Sequence, residues 1–362
     1  MVKAMFWYFS ALCIMNVGLF SVCADTAAIA AESQDLLRVR VLQKYQSETV
    51  MVYDLENKTR ILTIDRSTPF PQRFHFEKGF RISMPRQKIE RDYSGQLLLE
   101  RQGEELLLIN VVQLEDYVTS VVLSEMGWQA KEALRAQAIV ARTRAIKHRK
   151  PAALYDFADL TSEQVYKGLF SQTHKTKQIL QPTFGKVLKY QGQLAQVYYY
   201  GKCGERMYSK REIWGGEEIA YLKTKPLPYL LSSAEISTWQ CKLSYQAVNA
   251  LFQQEDSMGY INHKYSMNSK RGVLGVDVGE KWLAIDDFRI KINRKLGWNK
   301  LKSNSFEFDL KNGYFHFKGS GFGHLVGMCQ QGSVSMAKMG LSYHDILQYF
   351  YPGTLVRLYD SQ

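Results

Sequence analysis

Residues 114–148 read LEDYVTSVVLSEMGWQAKEALRAQAIVARTRAIKH, and at Leu114 the hydrophobic period of the chain changes. Leu114, Tyr117, Val118, Val121 and Val122 recur at intervals of three and four, which predicts a helix with one apolar stripe that stops near Gly127. A second helix is predicted from about Gln129 to His148, with Ala at 133, 136, 138, 141 and 145, whose small side chains allow a neighbour to approach closely, and with Pro151 as its stop. The two helices meet around Glu125 to Trp128.

On the amino-terminal side, Leu37 to Val41, Val50 to Tyr53, Arg73 to Phe76 and Leu97 to Leu99 are short alternating runs separated by Gly, Pro, Asn and Ser, the pattern of strands. On the carboxyl-terminal side, residues 185–200 read as a hairpin turning at Gly192, and residues 244–254 as a helix. Tyr314 to Phe317 reads as a strand, 319–323 as a glycine loop and 328–339 as a helix closed by Gly340. Residues 342–351 read as a helix opened by a Ser-x-x-Asp box and stopped by Pro352. The expected fold is α+β: a β-rich amino-terminal region (25–105), then a mixed α/β core (106–362) with a long helix carrying a basic face.

The 362 residues are 46% hydrophobic and 13% aromatic, enough to bury a sizeable core, and the formal charge of +12 suits an anionic partner. The lysines and arginines are scattered and no nucleic-acid motif accompanies them, so nucleic acid is not the expected partner. Lys3, the apolar run from Ala4 to Phe20 and the small residues ahead of Ala24 read as an export signal (1–24) cleaved after Ala24, with an uncleaved anchor as the alternative. Export would place the protein in the periplasm or cell envelope. Cys203, Cys241 and Cys329 remain beyond the signal; three cannot all pair, which leaves one disulfide of open pairing and one free thiol, and no metal-finger spacing. No metal and no cofactor are expected.

Glu125 falls at the carboxyl end of the first helix beside Met126, Gly127 and Trp128; apolar neighbours and the negative helix end both favour a protonated carboxyl. Arg135 and Arg142, seven apart, project from nearly one face of the second helix and form a candidate cationic wall, with Gln137 and Thr143 adding hydrogen-bonding capacity. The loop Gly319-Ser320-Gly321-Phe322-Gly323-His324 follows a strand and precedes a helix, but fewer than forty residues remain after it, so it is no dinucleotide fold and instead presents His324. No GxSxG elbow is present, and the histidines show no pairing pattern of a Ser-His-Asp triad.

Leu114 to Val118, Ser124-Glu125-Met126, Glu132 to Ala138 and Ala141-Arg142-Thr143 resemble the first signature of the SpoIID/LytB family. Residues 319–324 with Val326-Gly327-Met328, Gln330, Gly332, Met336-Ala337, Gly340 and 349–354 resemble its second, and Gln164-Val165-Tyr166, Gly185 to Leu188 and Cys203-Gly204 lie between in the expected order. The resemblance implies a SpoIID-like core and a peptidoglycan lytic transglycosylase, with Glu125 as the catalytic residue and Arg135, Arg142, Gln137, Cys203 and His324 holding the substrate. It also implies glycan strands stripped of stem peptides as substrate and a cell-wall amidase as a partner. The rival it carries is a non-catalytic, glycan-binding modifier of such an amidase. Ala158, Asp159, Ser162 and Glu163 stand where some members bind a metal through Cys and His, and Glu205, Leu325, Cys329 and Gln331 also depart from the family pattern.

Overall fold

The computed structural model describes residues 35–45, 49–64, 68–226, 236–253 and 265–359; the expected export signal lies outside them. The alternating amino-terminal runs form two antiparallel sheets. In the first, Leu36–Arg40 pairs with Glu105–Gln113, which pairs onward with Gln96–Gln102 and then Gln72–His75. In the second, Val50–Asp54 lies between Arg60–Ile64 and Phe80–Met84, and Ile89–Tyr93 closes the edge. Leu36–Arg40 also takes a parallel partner, Phe157–Ala158, so strands from both sides of residue 105 share one sheet. Buried Asp156 locks this junction: its carboxylate accepts from the Arg38 backbone N–H at 2.9 Å and from Arg38 Nη2 at 3.1 Å.

The two predicted helices are α1 (Leu114–Met126) and α2 (Lys131–Lys147). α1 lays Leu114, Tyr117, Val118, Val121 and Val122 against the amino-terminal sheets. α2 differs from the one-sided helix its position suggests. Leu134, Ala138, Ala141 and Ala145 face the core shared with α1, whereas Ala136, Ile139 and Val140 face a second core built from the carboxyl-terminal half. A helix buried on opposite sides has no single polar face, and alanine is the side chain that lets two layers approach it at once. Thr143 ties α2 down by donating its hydroxyl to Ile139 O at 2.6 Å and accepting the Leu188 N–H at 2.8 Å.

The remaining helices are α3 (Thr173–Leu180), α4 (Lys210–Trp214), α5 (Tyr245–Gln253), α6 (Ile285–Leu296), α7 (Gln330–Lys338) and α8 (Tyr343–Phe350). The box predicted at Ser342 is reciprocal, with Asp345 N donating to Ser342 Oγ at 3.3 Å and Ser342 N to Asp345 Oδ2 at 2.9 Å. The strand predicted at Tyr314 runs to Ser320 and sits between Thr238–Ser244 and Ser305–Lys311. The fold is thus α+β, a β-rich region followed by a mixed region with several helices.

The expected hairpin over 185–200 is shorter than its sequence pattern suggests. Lys186–Tyr190 turns at Gly192 onto Gln193–Leu194, but the chain then leaves, and Tyr199–Tyr200 pairs in parallel with Met328–Cys329. That crossing ties the tyrosine run to the glycine loop. Gly327 makes the approach feasible, since a Cβ there would lie 2.1 Å from the Tyr198 carbonyl oxygen and its φ is +77°. Cys203 and Cys329 are joined by a disulfide, and Cys241 is free. Among the described residues no helix is long and apolar enough to cross a membrane.

Candidate active site

Glu125 lies in the last turn of α1, and Gly127, with φ +66°, turns the chain away immediately after it. The carboxyl is largely buried yet keeps some exposure. Two donors converge on one of its oxygens: the Val165 backbone N–H reaches Oε1 at 2.9 Å and the Tyr199 hydroxyl reaches it at 3.1 Å. Burial pushes the Glu125 pKa up, and this outweighs the lowering by Val165, Tyr199, Lys167 and Gln330. With Oε1 occupied as a double acceptor, a proton taken up by the carboxyl is favoured on Oε2.

The anchors are themselves held. Gln164 Oε1 lies 3.4 Å from the Tyr199 hydroxyl, a longer alternative acceptor for its single proton, while Gln164 Nε2 donates to Tyr117 Oη at 3.2 Å. Burial raises Tyr199 well above the usual tyrosine range, so it stays protonated and donates. Gln330, the first residue of α7, is buried beside the same carboxyl, and its side chain lowers the Glu125 pKa as a hydrogen-bonding neighbour would. Cys329 supplies the cap of α7, its Sγ accepting from Gly332 N at 3.3 Å, so the disulfide fixes where Gln330 points.

The sequence-derived candidates separate. Arg142 is fully buried and forms a two-point ion pair with Glu115, Nε to Oε1 at 2.8 Å and Nη2 to Oε2 at 2.6 Å, while Nη1 donates to Lys186 O at 2.9 Å. It binds α2 to the start of α1 and to a strand, and presents no cation to solvent. The spacing argument for a cationic wall assumed a solvated helix, whereas α2 is central. Arg135 is partly exposed, pairs with Glu132 at 2.5 Å and donates from Nε to Ile179 O at 3.0 Å. Gln137 is buried in the helix, and among the described residues neither amide atom finds a hydrogen-bond partner. Cys203 is buried in the disulfide, which removes its thiol from any direct contact with a ligand.

His324 is packed among Trp214, Tyr200 and Tyr198, with ring centroids 4.9, 6.0 and 6.1 Å away. Its Nδ1 accepts the Val326 N–H at 3.1 Å, and its other side meets the Tyr199 backbone. Burial lowers its pKa to about 4, with Arg289 and Arg144 adding to the effect and Asp286 opposing it. His324 is thus a neutral ring at neutral pH, and it steadies the segment whose next-door hydroxyl holds Glu125.

Sequence reasoning passed over Tyr199, because a run of three tyrosines reads as a plain strand, and assigned no role to Gln164 or Gln330, although both fall in motifs that the family resemblance picks out. Distance along the chain hid them: Gln164, Tyr199 and Gln330 are brought to Glu125 by the loop after α2, the tyrosine crossing and the start of α7.

Residues 102–190 match the family model described as SpoIID, Stage II sporulation protein, a segment that carries Glu125, Arg135, Arg142 and Gln164 but ends before Tyr199 and His324. Among similar proteins, the stage II sporulation protein D of Bacillus subtilis is 29% identical over 270 residues, covering 69% of this chain and 76% of that protein. An uncharacterised protein of Brachyspira hyodysenteriae is 28% identical over 328 residues, 86% of this chain and 83% of its own length. The amidase enhancer of Bacillus subtilis is 25% identical over 291 residues, 66% of this chain but 40% of that protein. The chain matches Stage II sporulation protein D at the level of the family.

Proposed function

We propose that this protein is an exported peptidoglycan lytic transglycosylase that cleaves MurNAc–GlcNAc bonds in peptide-stripped glycan strands and leaves 1,6-anhydro-MurNAc ends. The observation that carries the reading is the environment of Glu125, a carboxyl whose pKa burial raises, clamped at Oε1 by Val165 and Tyr199 and still partly open to a ligand. Glu125 first passes its proton to the glycosidic oxygen as the bond to the MurNAc anomeric carbon breaks. As carboxylate it then accepts the proton of the MurNAc C6 hydroxyl, whose oxygen closes onto that carbon. No water enters the balance, so one carboxyl suffices where a hydrolase needs two.

Gln330 supports the acid from the start of α7, and Trp128, three residues past Glu125 and 45% exposed with Lys175 Nζ 5.0 Å from its ring centroid, offers its open ring face for a sugar to stack on. A disulfide between buried cysteines fits an oxidising compartment, in keeping with export. Arg142, Cys203 and His324 serve this site by shaping it. Digestion of stripped strands by the purified protein, with products weighed by mass spectrometry, tests the reaction class: anhydro ends support it, and reducing ends would mean hydrolysis.

The similarity to an amidase enhancer favours a second reading, in which the same cleft binds glycan and modifies a cell-wall amidase without cutting. That reading predicts strand binding with no product from folded wild-type protein, and a rise in amidase rate on its addition.

A further inference from the structure

Three arginines project from α2, and two are already engaged in the fold: Arg135 with Glu132 and Ile179, and Arg142 with Glu115 and Lys186. The third, Arg144, is different. It is partly buried, and among the described residues its guanidinium finds no carboxylate and no hydrogen-bond acceptor; what it has is the ring of Tyr198, 6.0 Å from centroid to guanidinium carbon. A half-buried cation without a counter-ion has lost water without gaining a partner, a cost that a ligand anion would remove.

Its position says which ligand. Tyr198 lines an open cleft of about 820 Å³ that also includes Lys147, one turn beyond Arg144 on the same helix. The next residue, Tyr199, carries the hydroxyl bonded to Glu125. Arg144 is also close enough to lower the pKa of both Tyr199 and His324. Two consecutive tyrosines thus link the two groups: the Tyr198 ring faces the Arg144 guanidinium and lines the cleft, and the Tyr199 hydroxyl holds the acid.

We infer that Arg144 grips a carboxylate of the bound glycan beside the bond that Glu125 cleaves, a role the sequence signature gave to Arg142. The inference rests on the glycan reading of the site. A guanidinium presents a planar fork of N–H donors that matches a carboxylate in two-point geometry. Two carboxylates fit: the lactyl group of MurNAc, free only where the stem peptide has been removed, or a carboxylate of the stem peptide itself.

The test uses Glu125→Gln protein, which holds strands without turning them over, and the same protein carrying Arg144→Gln or Arg144→Lys. Binding is measured by calorimetry to peptide-stripped strands, to the same strands with carboxyls methyl-esterified, and to peptide-bearing strands, with melting temperatures recorded for each variant. Loss of a charge-assisted hydrogen-bond pair predicts that Arg144→Gln weakens binding to stripped strands about tenfold to a hundredfold. Esterification should then weaken the parent by a similar factor and leave the Arg144→Gln protein unaffected, with Arg144→Lys recovering part of the loss. If the Arg144 effect appears only with peptide-bearing strands, the stem peptide supplies the carboxylate. Equal binding of esterified and free strands by the parent, or equal binding by parent and Arg144→Gln proteins of matched stability, overturns the inference. Wild-type protein that releases no fragments while this Arg144-dependent binding persists would remove the enzyme reading and leave the carboxylate site standing.

Discussion

At the scale of the residue, Glu125 and Arg142 illustrate opposite uses of a buried charge. Burial raises the folded pKa of Glu125 above its ordinary value. A group so raised binds its proton more tightly folded than unfolded, so it costs stability as pH climbs through the folded pKa. Glu125→Gln should therefore raise the melting temperature at neutral pH, with the gain shrinking as pH is lowered toward 4.5; thermal unfolding across that range checks it. Arg142 is the reverse case, a fully buried cation matched by Glu115. Glu115→Ala strands it, and breaking a buried pair on one side costs about 3–5 kcal/mol, measurable by urea unfolding. Glu125 is legible through the family signature around it, because an acid at a helix end beside Trp and Met is by itself equally the pattern of a solvated glutamate. The sequence misled on Arg142 because burial of α2 depends on partners more than forty residues away.

At the scale of the element, the glycine loop and the disulfide do a single job. Gly321 and Gly327 have positive φ, with close backbone neighbours in the tyrosine crossing and at Gly204, and the Cys203–Cys329 bond closes the same junction across 126 residues. Replacing both cysteines by Ala removes a long closed loop from the unfolded chain, and should cost about 2–5 kcal/mol. It should also release the cap of α7, so activity or binding falls with Gln330 even where the fold survives; comparison with Gln330→Ala in the disulfide-bonded protein separates the two effects. His324 adds a pH signature to this element. Its pKa is depressed from 6.5 to about 4, so between those values the unfolded chain takes up a proton that the folded one refuses, and stability declines as pH falls through that window. His324→Gln should flatten that part of the stability–pH curve. These arrangements were only half visible beforehand: the strand, glycine turn and capped helices follow from local chemistry, whereas the parallel pairing of Tyr199–Tyr200 with Met328–Cys329 joins segments some 130 residues apart.

At the scale of the whole molecule, α2 organises everything else, with a β-rich core on one side, a mixed core on the other, and the candidate site where α1 ends and the tyrosine crossing arrives. The α+β class and both central helices follow from periodicity, since a three-four repeat and an alternating repeat bury different faces. The convergence of Gln164, Tyr199 and Gln330 on Glu125 does not, because nothing local encodes it. The central claim is that the Glu125 carboxyl is the proton donor of a glycan-cleaving site, and its most direct test compares wild type with Glu125→Gln on peptide-stripped strands at neutral pH, with the fold of both verified by thermal unfolding. Release of anhydro-ended fragments by wild type and a rate lower by about 10²–10⁴ in the variant is the predicted result. Fragment release at equal rates by two folded proteins would contradict it.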